Sequence, residues 1–113
     1  MKEDFGKKLR IKSDKEFEEV LKKGGKTFGK NLTIVRLRAD EGQKFGIRIN
    51  RAIKGVKRNR IKRIIREILR KNKDKFGSNE KVAVLYNSDK MDVKYQELLE
   101  EFQNLLRNSK LKL

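Results

Sequence analysis

Residues 57–72 read KRNRIKRIIREILRKN. At about 100° per residue, Ile61, Ile64, Ile65, Ile68 and Leu69 fall on one side, and this spacing predicts an amphipathic helix over 57–72. The same rotation gathers Arg58, Asn59, Lys62, Arg63, Arg66 and Arg70 into one wedge beside the isoleucines. Five of the seven residues from Lys57 to Arg63 are positive, more than solubility requires. At helical spacing only Glu67 is at hand to neutralise Arg58, Arg60, Arg63 and Arg66. Cations at the helix start also oppose its dipole unless an anion lies there. A solvated helix face is the bland alternative. The density of charge argues instead for a rigid ridge that tracks a phosphate backbone, where a guanidinium's flat fork matches two phosphate oxygens and the Asn59 amide can pair with a base edge or ribose.

Upstream of this helix the pattern is that of strands. Leu32, Ile34, Val35 and Leu37, then Phe45, Ile47 and Ile49 alternate with polar residues between Lys26 and Asn50. Asp40-Glu41-Gly42-Gln43 supplies a hairpin loop with Gly for positive φ, so the two runs are expected to pair antiparallel, with a short further strand near Thr27 and Phe28. Before them, Ser13 and Glu16 have capping-box spacing, Phe17, Val20 and Leu21 share a face, and Gly24-Gly25 ends the pattern, which predicts a helix over 14–23. Residues 1–12 read as a charged arm, mobile until bound. Downstream, Lys81–Tyr86 is nearly all apolar and reads as a fourth strand, central or covered on both faces. Asp92 is placed to cap a last helix whose stripe is Val93, Tyr95, Leu98, Leu99, Phe102, Leu105 and Leu106. Its polar side carries Glu97, Glu100 and Glu101, which makes it a packing helix.

The whole chain has 113 residues, 35% of them hydrophobic, enough for one modest core and one domain. Lys and Arg number 32 against 16 acidic residues, a net charge of +16. From Lys44 to Lys75 there are 14 basic residues against Glu67 and Asp74, so 14 − 2 = +12 of that charge sits in this segment. A localised excess of this size points to a polyanionic partner, nucleic acid. No apolar run approaches the ~20 residues of a spanning helix and no signal-peptide pattern opens the chain, so a cytoplasmic, soluble protein is expected, with no membrane partner and no small-molecule substrate. His, Cys and Pro are absent. That removes histidine acid–base chemistry, thiolate nucleophiles, disulfides and the usual zinc ligands.

The segment GVKRNRIKRIIREILR resembles the signature helix of the bacterial ribonuclease P protein family, and KRNRIKRIIRE is its most specific part. Asp14, Glu16 and Phe17 near the start of the first helix, the Gly46-Ile47 strand, the fourth strand and the closing YQELLEEFQNLL helix follow in family order. The resemblance implies an α+β fold, a small two-layer α/β sandwich in the order α-β-β-β-α-β-α. Its four-stranded sheet is mostly antiparallel, with a left-handed βαβ crossover where general rules favour a right-handed one. It implies a subunit of an endoribonuclease whose chemistry belongs to a catalytic RNA. That RNA binds the Mg²⁺, none being held by the protein alone, and cleaves the 5′ leader from precursor tRNA.

By the same resemblance Arg58, Asn59, Arg60, Lys62, Arg63 and Arg66 contact the catalytic RNA, and Arg51 and Lys54 take the place of the family's paired loop lysines. The loop Asn50-Arg51-Ala52-Ile53-Lys54-Gly55-Val56 departs from the usual Gly-x-Ala-Val pattern and is one residue shorter. Phe17, Leu21, Val35 and Arg48 are the expected contacts to the 5′ leader. Phe17 also reads as core at its spacing, and Val35 and the outer side of the Lys44–Asn50 strand share that ambiguity. An Arg60→Ala change is expected to weaken RNA binding and to alter stability by only ~0.5 kcal/mol or less. Two rivals remain. One is a ribosomal or assembly-type RNA-binding protein without a processing role. The other is a stand-alone metal nuclease using Asp14, Glu16, Glu67 or Asp92, although no two of these have a local spacing that builds a site.

Overall fold

Ser13 starts the first helix, its hydroxyl accepting the Glu16 N–H at 3.1 Å, and α1 runs Asp14–Lys23. The computed structural model describes residues 10, 11 and 13–109. Most of the expected arm at 1–12 lies outside them. Strands β1 (Gly25–Phe28), β2 (Leu32–Arg38) and β3 (Lys44–Ile49) follow, then α2 (Gly55–Asn72), a 3-10 turn (Lys73–Lys75), β4 (Glu80–Tyr86) and α3 (Tyr95–Asn108). Helix α2 begins two residues before the expected Lys57, where Gly55 takes φ +67°. Helix α3 begins after Lys94 without a side-chain cap. The Asp92 carboxylate, expected to cap it, accepts from Lys57 Nζ at 2.6 Å instead.

The sheet order is β1-β2-β4-β3. The expected direct pairing of β2 with β3 is therefore corrected: β4 lies between them, antiparallel to β2 and parallel to β3. The connection at Gly42, with φ +93° as expected, passes over the start of β4. There Gln43 Nε2 donates to the Lys73 carbonyl at 2.9 Å and reaches those of Phe76 and Gly77, and the Ala39 N–H bonds the Asn79 carbonyl at 3.0 Å. These contacts replace the hairpin ladder that the sequence suggests.

Alternation along the strands divides the apolar residues between two faces. Leu32, Ile34, Phe45, Ile49, Val82, Val84 and Tyr86 meet Ile61, Ile65, Ile68 and Leu69 of α2 and Leu98, Phe102 and Leu105 of α3 in the main core. On the opposite face Val35 and Ala83 meet Phe17 and Val20 of α1. The expected two layers thus gain a partial third, because α1 covers only part of its face. Beneath α1, Gly46 is essential to the fit. A Cβ there would come within 2.6 Å of the Phe17 ring.

Candidate nucleic-acid interface

The isoleucines hold α2 against the sheet, which fixes where its basic residues point. Arg58, Lys62 and Arg66 recur every fourth residue and form a row along the β3 side. Arg58 reaches inward: its Nη1 donates to the carbonyls of Ile49, Asn50 and Ile53 at 3.2, 3.2 and 3.3 Å. Those carbonyls belong to the last residue of β3 and to the loop before α2, which turns on the Asn50 side chain (Ala52 N–H to Oδ1, 3.0 Å) and on fully buried Ile53. Arg51 and Lys54 are left exposed. Arg60 lies on the α3 side and donates to the Val93 carbonyl at 2.7 Å. Asn59, Lys62 and Arg63 are exposed and Arg66 is half-buried. Among the described residues no carboxylate forms an ion pair with Arg58, Arg60, Lys62, Arg63 or Arg66. Glu67, the expected neutraliser, turns to Arg70 (2.5 Å) and Lys71 (3.6 Å). Its hydrogen bond from Arg70 holds its carboxyl below the usual range.

Across the sheet edge, the uncovered part of the α1 face forms a groove of about 540 Å³. One wall is α1, with Asp14, Glu18 and Leu21. Arg48, Asn50, Arg51 and Arg58 form the other, with Leu85 and Asn87 between. The structure thus brings Leu21 and Arg48, expected at the leader, into one groove with Arg51 and Arg58, expected at the catalytic RNA. A smaller groove of about 170 Å³ sits at the β3 edge and is lined in part by Arg10, Lys62 and Arg66. Ile11 is tied to that edge by its N–H to the Phe45 carbonyl at 2.9 Å.

Two expected leader contacts are not on this surface. Val35 has no exposed area, sealed beneath α1. Phe17 is 7% exposed, packed against Val20, Val35 and Ala83. The Arg48 guanidinium lies 4.2 Å over its ring and is itself bonded to Glu18 at 2.8 Å. What the groove presents at that point is the arginine, with the phenylalanine as its support.

A family model described as Ribonuclease P matches residues 5–110. The chain belongs to the ribonuclease P protein family. It is 32% identical over 102 residues to the ribonuclease P protein component of Syntrophus aciditrophicus, covering 88% of this chain and 86% of that one. The Bacillus cereus (strain AH187) counterpart is 30% identical over 109 residues, covering 94% and 95%. Among solved structures, the Staphylococcus aureus RNase P protein superposes with a TM-score of 0.80 at 22% identity over 93% of this chain and 98% of that one. The Thermotoga maritima protein gives 0.76 at 22% identity over 89% and 97%. These two likenesses show the shared fold, an open mixed sheet with elements in the order α-β-β-β-α-β-α. Family membership carries tRNA processing and RNA binding as the family's work. Among the described residues no helix is long and apolar enough to cross a membrane.

The stand-alone nuclease candidates are dispersed. Glu16 meets Lys81 at 2.8 Å and Lys44 at 3.4 Å, Glu67 meets Arg70, and Asp92 meets Lys57. Among the described residues no three acidic side chains gather to hold a metal ion. Sequence reasoning missed Asn87 in the groove and the carbonyl-binding roles of Arg58 and Arg60. Asn87 had no motif to announce it, and carbonyl acceptors exist at every position of a chain.

Proposed function

We propose that the chain is the protein subunit of bacterial ribonuclease P, binding two polyanions at once: the catalytic RNA along α2 and its preceding loop, and the 5′ leader of precursor tRNA in the groove between α1 and the sheet. The observation that carries this reading is the set of cations on α2 that no carboxylate of the described residues pairs with, continuous through Arg58 and Arg51 with the groove. A helix start with no acidic residue in its first turn and no side-chain cap, surrounded by Arg51, Lys54 and Lys57, is unfavourable in isolation and is relieved by phosphate.

Mg²⁺, held mainly by the RNA in this reading, supplies the phosphodiester hydrolysis there. The chain's own residues bind and screen. Arg63, Lys62 and Arg66 neutralise backbone phosphates of the catalytic RNA, and Asn59 offers its amide to a base edge or ribose. In the groove Arg48, held flat by Phe17, presents a guanidinium plane and a charge to the leader, while Leu21 and Leu85 give an apolar floor. Screening of phosphate repulsion lowers the concentration of Mg²⁺ required.

The test is a reconstitution. Precursor tRNA is incubated at low Mg²⁺ with the protein alone, with a bacterial ribonuclease P RNA alone, and with both. Cleavage at the mature 5′ end only when both are present is the expected result. Cleavage by the protein alone would make it a nuclease in its own right, and RNA binding without any gain in cleavage would make it an assembly-type RNA-binding protein.

A further inference from the structure

The sheet face that carries the groove continues beyond it. Register sets Arg48 of β3 beside Leu85 of β4, Leu85 beside Thr33 of β2, and Thr33 beside Phe28 of β1. Paired residues on adjacent strands point to the same side, so these four form one row across the sheet. The preceding row, Lys26, Val35, Ala83 and Gly46, lies under α1 at Val35, Ala83 and Gly46. The Arg48–Phe28 row lies one step further along the strands. In its middle Thr33 of β2 is buried, 2% exposed, and its Oγ1 accepts from Asn87 at 3.0 Å, so between the groove and β1 the surface is carried by Asn87, which lines the groove. At its far end the Phe28 ring is 72% exposed, the most open aromatic among the described residues.

A lone exposed phenylalanine is unremarkable. This one stands on an edge strand between Lys26, two residues before it on the same side, and Lys30 in the turn that follows. Both lysines are exposed; Lys26 forms no ion pair among the described residues, whereas Lys30 shares a shallow pocket with Glu97, Glu100 and Glu101 and is one of the charges that hold the Glu97 carboxyl low. An open aromatic face beside an unpaired cation, here Lys26, is the arrangement that holds single-stranded nucleic acid, a base stacking on the ring and a phosphate meeting the charge. Nothing in the helical ridge or the groove assigns a task to it.

We propose that Phe28 is a stacking platform for a base of the 5′ leader after the leader has left the groove and crossed the sheet, with Lys26 contacting an adjoining phosphate. This rests on the reading of the groove as the leader's path. Three strand spacings separate Phe28 from Arg48, roughly 14 Å at ~4.8 Å each. The contact therefore belongs to the distal part of the leader, and a substrate with a very short leader does not make it.

The experiment uses the holoenzyme reconstituted with ribonuclease P RNA and carrying wild-type protein, Phe28→Ala or Phe28→Trp. Affinity is measured for two precursor tRNAs, one with a leader long enough to cross the sheet and one with a single-nucleotide leader. Thermal melts confirm that the variants fold. Phe28→Ala is expected to weaken long-leader binding roughly five-fold or more, the low end for loss of one base stack, and to leave the short-leader substrate unchanged. Phe28→Trp keeps the long-leader affinity. If wild-type protein itself gives no preference for the long leader, the groove reading fails and this inference with it. If the preference is present and Phe28→Ala retains it in full, this inference alone is overturned. Equal weakening on both substrates, or a change in self-association as the sole effect, also overturns it, assigning the ring to the catalytic RNA or to a second copy of the chain.

Discussion

Arg63 and Arg58 sit five positions apart on α2 and differ in what their removal takes away. Arg63 is exposed and, among the described residues, forms no ion pair. Arg63→Ala should leave the unfolding free energy within ~0.5 kcal/mol of wild type and lower the steepness of the salt dependence of RNA binding by about 1. Arg58 holds three carbonyls, one at the end of β3 and two in the loop that precedes α2. Its replacement by Ala should destabilise the fold by about 1–3 kcal/mol, and chemical denaturation measures this directly. Arg60→Ala, expected from the sequence to be silent in stability, removes the bond to Val93 and should cost about 1–2 kcal/mol. The outward aim of the ridge was legible because partners for arginine are carboxylates, and their positions can be counted along a helix. Contacts to carbonyls leave no such trace, and neither did the burial of Val35, whose strand alternation fits either side of a sheet that has helices on both.

At the scale of elements, α1 is fastened to the sheet by Gly46 and by a buried lysine. Gly46→Ala drives a methyl into the Phe17 ring and should destabilise by about 1–3 kcal/mol while tilting α1 and narrowing the groove. A melt that matches wild type would mean that α1 shifts freely. Lys81 is 5% exposed and meets Glu16 at 2.8 Å and Glu41 at 2.9 Å, joining α1 and the β2–β3 loop to β4. Burial pulls its ammonium down, but the two carboxylates together outweigh burial and hold its pKa above the usual lysine value. A pKa raised by folding stabilises fully below the unfolded value and ceases to do so as pH rises through the folded one. The stability difference between wild type and Lys81→Met should therefore be constant through neutral pH and shrink as pH rises above the ordinary lysine range. A difference that shrinks on acidification alone would place the effect on the carboxylates. The helices were legible in the sequence from their apolar periodicity, and the Ser13 cap set the start of α1; the starts of α2 and α3, which have no side-chain cap, were not. The neighbour of each strand was not, because period-2 alternation is the same whether β3 pairs with β2 or with β4.

For the molecule as a whole, one buried ion pair ties distant segments together away from the RNA surface. Glu80, 1% exposed, accepts both Nε and Nη2 of Arg36 and the Gly77 N–H at 2.6 Å, and Arg36 Nη1 reaches Ser109 at 2.6 Å beyond the end of α3. Glu80→Ala strands a largely buried guanidinium and should cost about 3–5 kcal/mol, read as a lowered denaturation midpoint. The division of labour is then plain: carboxylates at 80, 16 and 101 serve the fold, Glu101 by accepting the N–H groups of Asn31 and Leu32 at 2.6 and 2.7 Å, while Lys62, Arg63 and Arg66 of α2 are left for the RNA. The most direct check on that outward charge is the affinity of the protein for ribonuclease P RNA across a range of salt concentrations. With about six phosphates neutralised, log affinity should fall against log salt with a slope of roughly −4 to −5, and the joint Lys62→Ala, Arg63→Ala and Arg66→Ala variant should flatten it by about 3. A slope near zero, or one that this triple variant leaves untouched, would contradict the assignment of α2 to phosphodiester chains.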